Sequence, residues 1–334
     1  MEIVATIVPI FLIIFIGWFI KKRNFMQDIF LGPANRIVYY IAIPAMIFSA
    51  VAKASFHDEF NIKILLITFA SLFIVAGFAW LLTTVSSMPR KMKGTFMQSS
   101  FHGNFGYIGL AVAFYYLGNS GFANASIFAG FIMILQNMLA VTVLQAYSDL
   151  GKDSIGTASD AINIDSSLPP NSCNVTARKN KTAIFRANFH AIIRHPIILS
   201  AICGIIFSLS EISIPTIVDR TLSILSGMAL PLALLLIGAT ISFKVIRSYL
   251  LQIVEISLLK LVVMPAVGIL LFSVFSISSS EYLPALILLG SPTATMVYVM
   301  AQEMDGDPDF AVAALSACTI LSAVTFTVWL NILS

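Results

Sequence analysis

Gln98-Ser-Ser-Phe-His-Gly-Asn104-Phe-Gly-Tyr-Ile-Gly109 and Leu289-Gly-Ser-Pro292-Thr-Ala-Thr295 are the two places where a long apolar run ceases to be a good helix. Each interrupts the fourth hydrophobic span of its half of the chain. Unwound backbone in a bilayer must find new hydrogen-bond partners, so it survives only where protein buries it or where it lines a wet cavity. Two interruptions at matching positions of two halves are the sequence mark of a transporter's binding site.

The composition supports a membrane setting. The 334 residues are 58% hydrophobic and only 10% charged, with mean hydropathy +0.94. Soluble domains carry about 25% charged residues, so lipid must be the main solvent here. A net charge of +3 is too small to argue for nucleic acid. Cys173, Cys203 and Cys318 are odd in number and scattered, which suits neither a disulfide framework nor a metal site. The first apolar run precedes Lys21-Lys22-Arg23, whereas a cleavable signal has its charge in front.

Ten runs are long enough to cross a bilayer as helices: roughly 3–20, 35–52, 62–84, 97–117, 122–147, 194–210, 221–241, 249–276, 283–302 and 309–331. No alternating pattern of a membrane barrel is present. Fifteen of the 19 Lys and Arg residues fall in loops on one side, and three (Lys53, Lys63 and Arg220) on the other. By the positive-inside rule both termini are expected outside a multi-pass protein of the cytoplasmic (plasma) membrane. The acidic ninth loop, Glu303 to Asp309, is a mild exception. The expected division is a first five-helix repeat over 1–147, a polar cytoplasmic loop over 148–193 and a second five-helix repeat over 194–334. Five spans per half force the second repeat to insert upside down. Asn174-Val-Thr176 is then a cytoplasmic sequon and carries no glycan reading.

Asn104 is the leading candidate for contact with a ligand, because a mid-membrane amide costs energy unless it is hydrogen-bonded. Gly103, Gly106 and Gly109 around it allow close backbone approach. Half-helices that start at such a break present their N–H groups to an anion; the bland alternative is a small-residue packing face. Pro292 breaks the matching span. Thr293 and Thr295 either donate hydroxyls to a substrate or bond back to their own helix. Gln136 is either a contact or interhelical glue, with Asn137 beside it. Lys260, the one cation well inside a span, is a candidate countercharge for an anion. His102 is a candidate proton-linked group. No phosphate-binding loop, zinc motif or paired acid and base at one depth is present, so neither an ATP-driven pump nor an enzyme is supported, and no metal or cofactor is expected.

These residues resemble the auxin efflux carrier family, which includes the plant PIN auxin exporters and prokaryotic malonate and malate permeases. The likeness runs from Pro9 to Gly17, through Asn35-Arg36 with Pro44, Asn104 with Gly109, and Leu135-Gln136. It continues in His195-Pro196, Gly227-Met-Ala-Leu-Pro231, Lys260 with Pro265, and Pro292 with Asp307-Pro308-Asp309. The resemblance implies an all-α carrier of ten helices in an inverted repeat, with broken helices four and nine crossing. Spans one, two, six and seven would form a scaffold and the rest a transport domain that shifts like an elevator. It also implies small organic anion substrates, Asn104 and Gln136 in the pocket, and a homodimer through the scaffold. Two departures matter. Ala111 stands where the family has a crossover proline, and span three has Thr68 and Ser71 where plant members carry Asp and Lys. A sodium-coupled carrier of the bile-acid type and a receptor without flux are the rival readings.

Overall fold

The computed structural model describes residues 2–54, 60–148, 196–210 and 214–333. Most of the polar 148–193 segment, with Cys173 and the Asn174 sequon, lies outside them, as does His195. Every named element among the described residues is helical. Seven helical stretches are long and apolar enough to cross a membrane, and Pro196–Leu209 and Ser279–Leu289 are shorter apolar helices.

The first helix, α1, is Glu2–Lys22. Next come α2 (Asp28–Ile37), a π-helical turn at Val38–Ala42 and α3 (Ile43–Lys53), which together make one continuous rod. Pro44 follows the π turn, which accommodates the donor it lacks within the continuous rod. Helix α4 is Ile62–Val85. Helix α5 (Arg90–Phe101) stops at the first break. A second π turn, Phe105–Gly109, leads into α6 (Leu110–Tyr147). At about 1.5 Å per residue, the 38 residues of α6 would be nearly twice the hydrocarbon thickness of about 30 Å. The helix is interrupted at Gly118, whose φ of 70° and ψ of −162° only glycine adopts freely. It therefore carries the end of the expected fourth span and all of the fifth.

In the second half, α7 is Pro196–Leu209, α8 Thr216–Gly227 and α9 Ala229–Thr240. The short α10 (Phe243–Ile246) precedes α11 (Leu250–Leu258), a third π turn (Leu259–Val263) and α12 (Met264–Val274). Helix α13 (Ser279–Leu289) ends at the second break, after which come α14 (Met296–Glu303) and α15 (Pro308–Leu333).

Helix α1 lies along α9, and α3 against α7 and α8. The α1–α9 contact is close because a Cβ on Gly17 would fall 2.1 Å from the Leu235 carbonyl oxygen, and one on Gly238 1.9 Å from that of Ile14. Small residues at helix crossings are how membrane helices gain packing without a hydrophobic driving force. A second group forms where α5 and α13 pack on α6, α4 packs on α5 and α12, and α15 packs on α11 and α14. The outer faces are apolar: Leu12, Phe15, Phe73, Leu251 and Val254 are all exposed. A monomer in water would not leave such a belt uncovered.

Candidate functional site

The two breaks meet. Asn104 N–H donates to the Pro292 carbonyl at 2.7 Å, and Ala294 N–H to the His102 carbonyl at 2.9 Å. The pairing is an isolated antiparallel bridge between Gly103 and Thr293. Each unwound segment thereby satisfies the other, as the absence of water requires. The inward groups of Gly103 are taken by Gln136, whose Oε1 accepts from Gly103 N–H at 3.1 Å and whose Nε2 donates to its carbonyl at 3.4 Å. The Asn104 carbonyl accepts from Ile108 and Gly109 N–H at 3.2 and 2.9 Å, which starts the π turn. Gly103 must be glycine: a Cβ there would sit 2.3 Å from the Phe105 ring and 2.7 Å from Ser291 Oγ.

One group is left over. Asn104 is 5% exposed, and its Nδ2 has no hydrogen-bond partner. It lies on the wall of a cavity of about 830 Å3, within the range of about 300–1,000 Å3 usual for small-ligand sites. Gly106 and Tyr107, at the start of the helix after the first break, line the same cavity, as do Thr295 and Met296 after the second. The first N–H groups of a helix have no intrahelical acceptor, and its N-terminal end carries partial positive charge. The cavity wall therefore offers donors and positive potential, which suits a carboxylate.

The other expected residues divide. His102, Gly103, Gly106, Gln136 and Thr295 line the cavity with Asn104, and so does Asn137. Gln136 is 2% exposed and spends both ends of its amide on Gly103, so its first task is to hold the break together. Thr293 follows neither of its two expected readings. It is fully buried, and its hydroxyl donates across the crossover to the Ser99 carbonyl at 3.0 Å. Pro292 contributes its carbonyl to the bridge and Gly109 packs on Leu288; neither is on the cavity wall. Lys260 is also off the wall, buried behind the second break. His102 Nδ1 lies 3.4 Å from Gln98 Nε2.

The far wall comes from residues that sequence reasoning did not place in the site. Asn35, Arg36, Tyr39 and Tyr40, from α2 and the first π turn, face the crossover. Tyr107 hydroxyl donates to Asn35 Oδ1 at 3.2 Å, joining the two walls. The available signal was an Asn-Arg pair at the mouth of an apolar span. A second cavity of about 730 Å3 lies farther along α3, against Phe114 and Asn119 of α6 and Ser226 of α8. Lys53 borders it and pairs with Asp219.

Comparison with known proteins bears on what this site belongs to. A protein of Rhizobium meliloti (strain 1021) named "Putative malonate transporter" is 24% identical over 98% of this chain and 94% of its own length. An uncharacterized transporter of Methanothermobacter thermautotrophicus is 22% identical over 97% of this chain and 96% of its own. A third, from Methanocaldococcus jannaschii, is 22% identical over 96% and 95%. The family model described as "Membrane transport protein" matches residues 2–330. With crossed breaks at its centre and that match along almost its whole length, the chain belongs to this family of membrane transporters, the auxin efflux carrier family.

Proposed function

We propose that the protein is a secondary carrier of small organic anions, with carboxylates such as malonate, malate or auxin-like acids bound at the crossover. The observation that carries this reading is the orphan Nδ2 of Asn104, buried on the cavity wall between two helix N-termini. A buried donor without a partner costs about 1–3 kcal/mol, and an arriving carboxylate oxygen removes that cost. The malonate relative makes a short carboxylate the first substrate to try.

In this proposal the chain has ten spans in an inverted 5+5 repeat, with both termini outside. The α1–α9 and α3–α7–α8 contacts support a scaffold from spans one, two, six and seven, and the second packing group supports a transport domain from spans 3–5 and 8–10. The two cavities lie at different points along the rod of the second span, one against α2 and the first π turn and the other against α3, which supports a site that shifts along this rod. The crossover cavity reaches Arg36, at the end of span two assigned to the cytoplasm, which supports reading it as the cytoplasmic approach to the site. Two copies would pair through the scaffold, where Ile217 and Ile224 of α8 point outward.

The test is transient current from purified protein on a solid-supported membrane, challenged with malonate, malate, indole-3-acetate and acetate. A saturable current for at least one anion, lost in Asn104→Ala with unchanged melting temperature, is the expected result. Full current in Asn104→Ala would sink the site assignment. Ligand binding without flux would favour a receptor.

A further inference from the structure

Lys260 is fully buried and lies in the third π turn, Leu259–Val263. Pro265, at the start of α12, cannot donate to the Leu261 carbonyl one turn earlier, and that carbonyl accepts from Trp329 Nε1 at 2.8 Å. The turn is thus fixed by α15, and it aims the Lys260 side chain at the second break. Its Nζ donates to the Leu289 carbonyl at 3.0 Å, the last residue of α13. Among the described residues no carboxylate pairs with it; the ion pairs there are Lys53–Asp219 and Lys91–Asp305. Glu255, one turn and a half earlier, has an oxygen with no partner of its own rather than a bond to Lys260. Around the amine are neutral groups, including Cys318, whose sulfur lies 3.7 Å from Ser257 Oγ.

A lysine in hydrocarbon is costly and marks function by default. Its placement here has a specific electrostatic effect. Four half-helix ends converge on the crossover: two N-termini with partial positive charge and the C-termini of α5 and α13 with partial negative charge. The carbonyl of Ser99 near the end of α5 is met by the neutral Thr293 hydroxyl. The end of α13 is met by the Lys260 amine, which brings a full positive charge there when protonated. In its protonated form the amine tips the balance around Asn104 toward positive potential from behind the wall, without touching the cavity. The connection is short, because Leu289 is three residues from Pro292, whose carbonyl holds Asn104 N–H.

We propose that Lys260 is a built-in countercharge for the transported anion, standing in place of a co-transported cation. This rests on the carrier reading above and adds what balances the substrate's charge. The amine belongs to the same packed group as the crossover, so it would travel with the anion, and the translocating part would need no sodium to accompany it. Lys260 acts here as a positioning charge, since it touches the helix end and not the ligand.

Two measurements on purified protein in liposomes test this. In the first, binding of malonate, malate and indole-3-acetate is compared with binding of the amides that remove one negative charge: malonamate, malamate and indole-3-acetamide. For the anion that wild type binds best, Lys260→Gln should lower affinity about tenfold or more, equivalent to about 1.4 kcal/mol, and lower affinity for its amide much less. Equal losses for both would mean that Lys260 only holds α13 in shape, and unchanged affinity would mean that it is electrically remote; either overturns the proposal. The second needs no variant and stands even if Lys260→Gln fails to fold. Wild-type uptake of the same anion should be unchanged when sodium is replaced by choline, and a requirement for sodium overturns the proposal while leaving the carrier reading intact. If wild type binds none of the three anions, the carrier reading fails and this proposal falls with it.

Discussion

Within the crossover, neighbouring residues separate fold from function. Gly103→Ala puts a Cβ into the Phe105 ring and Ser291. Overpacking of this kind costs about 1–3 kcal/mol, so the expected outcome is a lower melting temperature in detergent. Asn104→Ala removes an amide whose Nδ2 has no partner to lose, so its melting temperature should stay near wild type while transport fails. Thr293→Val offers a third outcome. It loses the bond to Ser99, worth about 0.5–1.5 kcal/mol, and should retain most of its uptake, because the hydroxyl does not reach the cavity. Uptake abolished at normal stability in Thr293→Val would return that residue to the ligand. The sequence located the break at Asn104 correctly through its glycines, yet it could not orient Thr293. Side-chain direction there depends on a bridge to Gly103, and no local pattern encodes a partner so distant in the chain.

Helices and turns obey a similar division. Gly238 and Gly77 look alike in a string of apolar residues, but one meets the Ile14 carbonyl and the other meets nothing within 4 Å. Gly238→Ala should therefore loosen the α1–α9 pair and lower yield and melting temperature. Gly77→Ala, in the middle of α4, should be neutral or stabilising by about 0.5–1 kcal/mol, as measured by thermal unfolding. The long apolar runs were legible because lipid imposes a length on them. The π turns were not. Pro44 and Pro265 follow the first and third closely, but the second, Phe105–Gly109, has no proline and arises from two N–H groups sharing the Asn104 carbonyl. Such turns favour functional positions, and here they carry Tyr39, Tyr40 and Tyr107 to the cavity and Lys260 behind it. The α2 wall escaped sequence reasoning for that reason. Asn35 and Tyr107 are 72 positions apart and meet only after two separate turns have rotated them together.

For the molecule as a whole, the proposed elevator makes a mechanical demand on the seam. A Cβ on Gly130 of α6 would lie 3.3 Å from that of Ala201 on α7, close to the 3.5–4.5 Å of a disulfide. The pair Gly130→Cys and Ala201→Cys, with Cys203 replaced by Ser, should cross-link under oxidation and stop uptake, and reductant should restore it. Uptake that continues with the bond closed would exclude sliding at this seam. Charge asymmetry in the loops predicts both termini outside, whereas nothing in the sequence placed a second cavity along α3.

The bridge between the two breaks also bears on how the protein is made. Ser99 and Thr293 are 194 positions apart. At about 5–20 residues per second, a ribosome takes roughly 10–40 s to cover that interval. Throughout it, the first break waits in the membrane with the Asn104 and His102 backbone groups unanswered by Pro292 and Ala294. A nascent chain in that state is a target for membrane proteases and a client for any insertase that shelters polar backbone. The first half expressed alone should be cleared quickly, and co-expression of the second half as a separate chain should rescue it.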